Sequence, residues 1–371
     1  MNSIKLSKLN QELALVKDLF DTVRVVEPIQ KTVVGDLKPI GEAEPPSTRC
    51  FYFWERKEAC INCISTRALN NDDVFIKIEY HGERLIMITA VPVVYQGEKV
   101  VLEMLKDITD KNIIDIQGMD ATELQEMINR RNYSVVTDEL TSTFNKNYLM
   151  ERMPYEITKN AEEQGKLSII FADIDNLKSI NFAYGDSAGD YIIKEFASIL
   201  SSQCREGLDW VARYGGDEFI VVLSNTSREL AEQACEKINR MVSETTLSWE
   251  GQEVKITASF GVYTVDTGDV FAEELLDYAR QNLYLAKKRT EARRLDAIFE
   301  GFVDRYQLTA RESEVAGLLL EGITNNDIAG RLFISIPTVK KHISEIFNKA
   351  MVKSRSEFLA KYQDEVRNTI L

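Results

Sequence analysis

Apolar residues at Leu6, Leu9, Leu13, Val16, Phe20 and Val23 recur at alternating spacings of three and four, the stripe of one helix face, and Pro28 ends the pattern. The rhythm predicts an N-terminal helix within residues 1–27, which either packs on its own domain or forms the seam of a dimer. From Val74 the pattern turns to strand: VFIKIEY, then RLIMITAVPVVY from Arg84, a turn at Gln96-Gly97-Glu98, and VVLEML from Val100. Asp120 and Glu123 stand in capping-box spacing before Leu124, Met127, Ile128 and Arg131, which predicts a connecting helix. The apolar run LSIIFADID, Leu167 to Asp175, reads as a buried strand that brings Asp173 and Asp175 to one edge. A helix from Tyr191 follows, with Ile192, Phe196 and Leu200 inward. Two apolar runs, Trp210 to Ala212 and Phe219 to Leu223, flank Gly215 and Gly216, which predicts a hairpin whose turn presents Asp217 and Glu218.

Helical patterning returns near the C-terminus. Thr309 and Glu312 have capping-box spacing, Val315, Leu318 and Leu319 form an inner face, and Gly322 ends that helix. A second helix covers Asn325 to Phe333. A third is capped by Ser335, tolerates Pro337 in its first turn, and buries Val339, Ile343, Ile346 and Phe347. That face leaves Thr338, Lys340, Lys341 and Lys349 for solvent or DNA, the arrangement of a recognition helix.

Composition narrows the classes. A chain of 371 residues, 44% hydrophobic and 28% charged, suits a multidomain globular protein. No apolar run approaches the ~18 residues of a membrane span, and Met1 to Asn10 lacks the apolar core of a signal peptide, so a cytoplasmic location without membrane contact is expected. The formal charge of -14 argues against general nucleic-acid affinity. The stretch from Arg331 to Lys361 is the local exception, with Lys/Arg at 331, 340, 341, 349, 353, 355 and 361 against acids at 345 and 357. The five cysteines do not form a disulfide framework. Cys50, Cys60 and Cys63, with His81 as the nearby fourth candidate, are either ordinary reduced thiols or a zinc, iron-containing or redox site.

From Asp138 to Arg289 six motifs occur in order: DELTSTFN, FADIDNLKSIN, GDSAGD, RYGGDEF, SFGV (Ser259 to Val262) and LYLAKKR (Leu283 to Arg289). Together they resemble GGDEF domains, the diguanylate cyclases. The resemblance implies a palm-like α/β domain with an antiparallel-rich sheet flanked by helices. It also implies joining of two GTP into cyclic di-GMP with release of pyrophosphate, by a homodimer in which each 3'-hydroxyl attacks the other nucleotide's α-phosphate. Phosphoryl transfer needs mainly positioning and charge neutralisation. Magnesium takes a few carboxylates plus phosphate oxygens, so Asp173 with Ile174 on one strand, and Asp217 and Glu218 on the hairpin, would hold two Mg2+ per GTP site. Lys178 and Lys287 match positions that touch the triphosphate. Asn181 and Asp190 match those that read guanine, and Gly215 and Gly216 give the substrate its close approach.

Departures from the family pattern stand near these positions. Phe182 replaces a usual Asp, Asp186 a frequent His, and Arg280 an acidic residue. Thr290, Glu291 and Ala292 stand where Gly-Arg-Asn is common, which removes one phosphate-facing arginine. Product-inhibited relatives carry Arg-x-x-Asp before the hairpin. Here Arg205 and Asp209 are four apart and Glu206 holds the arginine's place, so product inhibition at that site is expected to be weak or absent.

The segment LTARESEVAGLLLEGITNNDIAGRLFISIPTVKKHISEIFNKA resembles the LuxR-type helix-turn-helix. The span ending in DITD (Asp107 to Asp110) resembles the end of a PAS-type sensor. The expected organisation is multidomain α+β: an N-terminal helix (1–27), a PAS-like α/β sensor (28–110), a linker helix (111–136), a palm-like GGDEF domain (137–296), and an all-α helix-turn-helix domain (297–371). One functional reading is a diguanylate cyclase coupled to a regulator of double-stranded promoter DNA. The other is a transcription factor whose GGDEF domain binds GTP or cyclic di-GMP with little catalysis.

Overall fold

Thr22, Val23, Val25 and Val26 are β-branched, and such residues favour the pleated backbone over the helix. They form strand β1 (Thr22–Glu27). A computed structural model of the chain describes residues 19–38, 48–95, 97–111, 119–266 and 270–368. Strand β1 pairs antiparallel with β2 (Thr32–Lys38), and after a 3-10 turn at Cys50–Trp54 comes helix α1 (Ile64–Asn71). Strands β3 (Phe75–His81), β4 (Arg84–Tyr95) and β5 (Glu98–Asp107) complete a sheet of order β2-β1-β5-β4-β3, antiparallel throughout. Val26, Ile88 and Val101 pack with Trp54 and Ile64 on one face, while Val25, Leu102 and Met104 cluster on the other. Inside this sheet Arg24 faces Glu103 on the neighbouring strand, Nε to Oε2 at 2.9 Å.

The expected N-terminal helix is corrected at its end. Val23 lies in β1 and Phe20 precedes it in non-helical backbone, because the β-branched run outweighs the helical spacing. Residues 1–18 lie outside the described residues, as does Gln96 of the expected turn. The β4–β5 pairing itself runs from Ile86↔Asp107 to Tyr95↔Glu98.

Helix α2 (Ala121–Val136) begins at the expected capping box: Asp120 accepts from the Thr122 and Glu123 backbone, and the Asp120 N–H donates to Glu123. Its apolar face, Leu124 and Ile128, packs against Leu85 and Ile108 of the first domain. Strand β6 (Phe144–Asn145) leads into α3 (Lys146–Glu162), and β7 (Leu167–Ile174) follows, buried along its whole length. Next come α4 (Leu177–Tyr184), α5 (Asp186–Ser202), β8 (Trp210–Gly215), β9 (Glu218–Leu223) and α6 (Arg228–Glu244). A small hairpin, β10 (Thr246–Trp249) and β11 (Gln252–Lys255), precedes β12 (Ala258–Val265) and α7 (Ala272–Arg305).

The second sheet has order β12-β7-β9-β8-β6, antiparallel except for the β6–β8 pair. Helices α5 and α6 cover one face through Ile192, Phe196, Leu200, Ile238 and Val242. Helix α3 and the start of α7 cover the other through Leu149, Met153, Leu275 and Leu283. A three-layer α/β sandwich results, with the interior strand β7, between β12 and β9, carrying Asp173 near its end.

The first and second sheets belong to one compact unit, residues 1–283; residues 284–371 form another. Within the first unit α3 is the docking element. Arg67 of α1 makes a two-pronged contact with Glu151, at 2.7 and 3.1 Å, and Lys159 pairs with Glu58 at 3.2 Å. Phe51 and Ala59 bury the ring of Tyr155. The second unit is a helical core: α8 (Ala310–Leu320), α9 (Asn325–Leu332), α10 (Ile336–Lys349) and α11 (Arg355–Asn368) enclose Val315, Leu319, Ile328, Val339, Ile346 and Phe358.

Candidate functional site

The β8–β9 hairpin turns through Gly216, whose φ of 56° is one that a side chain disfavours. Arg213 holds the turn from below: Nε donates to the Gly216 carbonyl at 2.9 Å and Nη1 to Asp138 Oδ1 at 3.0 Å. Asp138 also accepts from the Thr141 backbone and hydroxyl. Burial acts to raise its pKa, but Thr141 and the Arg213 guanidinium outweigh it and hold the carboxyl below its ordinary value. Asp138, the first residue of the DELTSTFN motif, thus ties that motif to the hairpin through Arg213.

Asp173 and Glu218 are register partners on β7 and β9. Directly opposed residues of an antiparallel pair place their Cβ atoms ~4.5–5.5 Å apart, and two carboxylates at that spacing repel unless a cation joins them. Asp173 is 7% exposed, so water screens it little. Asp217 sits in the turn beside them, and its carbonyl accepts from Ile174 N at 3.4 Å. The second aspartate of the DxD pair is occupied elsewhere, since Asp175 accepts from the Thr257 and Ser259 hydroxyls, each at 2.8 Å. Arg280 of α7 stands beside the acidic pair, Nη2 at 4.0 Å from Glu218 Oε2, and its guanidinium lies over the rings of Phe171 and Tyr214 at 5.1 and 4.9 Å.

Asn181 and Gly189 meet where α4 joins α5. Asn181 Oδ1 is buried with no hydrogen-bond partner among the described residues. A side chain at Gly189 would put a Cβ 1.9 Å from that oxygen, so the glycine makes room for the amide. A buried, unpaired acceptor costs free energy unless a ligand satisfies it. Lys178 and Asp190 are exposed on α4 and α5. Lys287 lies on α7 beyond Leu283, in the second unit. Beside the hairpin, Lys146, Asn147, Arg213, Gly215 and Gly216 border an open depression of about 410 Å3, and the Lys146 ammonium caps the Tyr214 ring at 4.2 Å. Lys146 was not among the residues expected from sequence; it lies one position after the DELTSTFN motif.

Of the readings open for the cysteines, the zinc or iron site does not form among the described residues. Cys50, Cys60 and Cys63 do line one cavity, of about 20 Å3, but His81 does not and instead sets its ring edge-on to Trp54 at 5.8 Å. Among the described residues no group of three or more His, Cys, Asp or Glu is placed to hold a metal ion by itself, neither these thiols nor Asp173, Asp217 and Glu218. The neighbours of the thiols are cations, Lys31 and Arg56, which repel a metal.

In the second unit both expected caps form. Thr309 and Glu312 make the reciprocal box on α8, and Ser335 caps α10 with Pro337 in its first turn. Lys340 and Lys341 are exposed on α10 and pair with none of the described residues. Lys349 differs from them: it is half-buried and bonds Glu312 Oε2 at 2.6 Å and the Gln307 carbonyl at 3.0 Å within the helical unit. Two other cations of the basic run are likewise occupied, Arg355 on the Leu319 carbonyl and Lys361 on the Ala350 carbonyl. Thr338 shares a hydroxyl contact with Ser335 at 2.7 Å.

Residues 135–293 match the family described as "Diguanylate cyclase, GGDEF domain", and residues 306–361 match "Bacterial regulatory proteins, luxR family". The chain joins a GGDEF domain to a LuxR-family domain. Diguanylate cyclase A of Treponema denticola is 36% identical over 204 residues, covering 52% of this chain and 52% of the relative. Diguanylate cyclase DgcS of Shewanella oneidensis is 31% identical over 190 residues, covering 50% and 62%. The chain thus spans about half to three fifths of the length of these curated relatives. Among solved structures, the coiled coil and GGDEF domain of DgcB from Caulobacter crescentus, in complex with c-di-GMP, aligns at 22% identity over 45% of this chain and 88% of that one, with a TM-score of 0.42. Among the described residues, no helix is long and apolar enough to cross a membrane.

Proposed function

We propose that the GGDEF domain condenses two GTP into cyclic di-GMP, and that this activity is coupled to DNA binding by the LuxR-family domain. The observations that carry the reading are the opposed pair Asp173 and Glu218, held at the mouth of a glycine turn, and a buried, unsatisfied Asn181 oxygen on α4. In each half-reaction a 3'-hydroxyl oxygen bonds to the other nucleotide's α-phosphorus, the bond to pyrophosphate breaks, and the hydroxyl proton leaves. The protein residues do not form a metal cage by themselves, so Asp173, Glu218 and Asp217, with Ile174, would hold Mg2+ only together with the phosphate oxygens of GTP, whose charge it would neutralise. Asn181 accepts from the guanine edge, and Lys178 and Lys287 meet the triphosphate as point charges. A homodimer follows from the chemistry, since each domain holds one of the two nucleotides. The antiparallel order β2-β1-β5-β4-β3 supports a PAS-like sensor in front.

Incubation of the pure chain with GTP and magnesium should give cyclic di-GMP, and Asp217→Ala with Glu218→Ala should abolish it. Absence of cyclic product from a dimeric wild-type chain, with or without DNA, would falsify the catalytic reading. The second reading, a nucleotide-sensing transcription factor, is favoured by Arg280: a fixed cation at 4.0 Å from Glu218 competes with a metal for the same carboxylate. Arg205 is committed to Asp209, the Ser224 carbonyl and Thr226, which supports weak product inhibition at that position. Lys340→Ala with Lys341→Ala should weaken binding to promoter DNA and flatten its salt dependence; unchanged binding removes both lysines from the interface.

A further inference from the structure

The thiol pocket of the N-terminal domain has no part in the reaction above. Lys31, itself 2% exposed, donates to Cys63 Sγ at 3.3 Å and to Thr66 Oγ1 at 2.5 Å. Thr66 in turn donates to Cys63 Sγ at 3.3 Å, and Arg56 Nη1 donates to Cys60 Sγ at 3.2 Å. Arg24, Lys31, Lys77 and Glu103 line the pocket, and Glu79, paired with Lys77 and with the part-exposed Arg56, lies behind it, so four cations stand against two carboxylates. A buried excess of positive charge is costly, and the groups at hydrogen-bond distance able to offset it are thiols. Cys63 is also the N-cap of α1, where the helix dipole favours a negative charge. Burial opposes its ionisation, but Lys31, Thr66 and Lys77 prevail and its pKa is lowered. The other thiols differ: burial pushes Cys50 well above the ordinary range, and pushes Cys204 and Cys235 up to about 12.

We propose that Cys63 and Cys60 are a hydroperoxide-reactive pair, with Cys63 the attacking thiolate and Cys60 the resolving thiol. The Cys63 sulfur bonds to one peroxide oxygen as the O–O bond breaks; the sulfur is oxidised to a sulfenic acid, and the peroxide is reduced to water or an alcohol. The Cys60 sulfur then bonds to the Cys63 sulfur, and the sulfenic oxygen leaves with the Cys60 proton as water. Both residues are part-exposed and line the same cavity of about 20 Å3, which gives the two sulfurs a shared space. The pair borders α3 of the GGDEF domain: Cys60 packs on the cluster of Phe51, Ala59 and Tyr155, and the Ala59 carbonyl accepts from Arg152 at 3.4 Å.

The test uses the reduced full-length chain and reads the thiols, not cyclase activity, so it stands or falls apart from the nucleotide reading. At neutral pH Cys63 should react with iodoacetamide at least about tenfold faster than Cys204 and Cys235, given its larger thiolate fraction. After substoichiometric hydrogen peroxide, peptide mapping should find a Cys60–Cys63 disulfide, and Cys60→Ser should leave a dimedone-trapped sulfenic acid on Cys63. Equal alkylation rates in the wild-type chain, a disulfide that maps to Cys50, or a stoichiometric metal ion retained by the three thiols would each overturn the proposal.

Discussion

Arg280 offers the sharpest test of the acidic pair. It stands 4.0 Å from Glu218, with side-chain exposures of 44% and 32%, so both partners are partly screened by water. At an effective dielectric constant of about 20 the pair would be worth ~4 kcal/mol, and solvent exposure brings this down to about 1 kcal/mol. Removing the arginine returns that attraction to whatever cation Asp173 and Glu218 bind. Arg280→Ala should therefore lower the magnesium concentration that half-saturates cyclic di-GMP synthesis by about fivefold, as 1 kcal/mol corresponds to a factor of about five in an equilibrium constant. The assay is the initial rate against free Mg2+ at saturating GTP, repeated at high salt, where the difference should shrink. Loss of the contacts to Phe171 and Tyr214 should cost about 0.5–1 kcal/mol of stability, visible as a small fall in the unfolding midpoint. An unchanged or raised magnesium midpoint would refute the reasoning. A raised KM for GTP with the magnesium midpoint fixed would assign the guanidinium to phosphate instead.

Gly189→Ala should displace the Asn181 amide and weaken GTP binding by tenfold or more with only ~1 kcal/mol lost in stability, measured by nucleotide titration beside urea unfolding. Gly261→Ala meets backbone rather than a movable side chain, since its Cβ would lie 2.2 Å from Ala279 O and Leu283 N; a loss of ~3 kcal/mol or more should appear as a large fall in Tm. Lys349→Ala should destabilise the helical unit by about 1 kcal/mol while leaving the salt slope of DNA binding unchanged, the reverse of the Lys340 and Lys341 pair. The same contact sets a pH dependence. Burial would raise the Glu312 pKa, but Lys349 and Thr309 lower it below 4.5, so its contribution to stability is present above that pH and lost as pH falls through the depressed folded value. Unfolding curves between pH 3 and 6 should show that loss in the wild-type chain and a smaller one in Lys349→Ala, where the Thr309 bonds remain.

Local chemistry was legible wherever one residue's role is decided by its near neighbours in sequence. The capping boxes at Asp120 and Thr309, the Ser335 cap with Pro337, and the strand-turn-strand of RYGGDEF all formed where their residues stand. The helix expected through Val23 failed at its end for the same local reason, because Thr22, Val23, Val25 and Val26 carry a strand signal that spacing alone ignores. What stayed hidden depends on partners far along the chain. That Asp138 grips Arg213, that Asp175 is taken up by Thr257 and Ser259, and that Arg67 clamps Glu151 are contacts across 75, 82, 84 and 84 residues, and no periodicity reports them.

The basic run at the C-terminus shows how this changes a functional argument. Seven cations counted along 331–361 suggest an undivided electrostatic surface, yet the fold sorts them by role. Lys349, Arg355 and Lys361 satisfy a carboxylate or helix-end carbonyls, groups that a small helical unit must pair to remain folded. Arg331 is paired with Glu321 at the surface, at 3.3 Å. Lys340 and Lys341, adjacent on α10 and both exposed, keep their charge for a partner, as does the exposed Lys353, of which only the backbone N–H is bonded, to Glu357. Neutralising Lys340 or Lys341 should reduce the salt slope by about one unit each, whereas the three occupied cations should alter unfolding and leave the slope in place. Net charge along a sequence sets an upper bound on phosphate contacts; the hydrogen bonds of the folded unit decide how much of it is available.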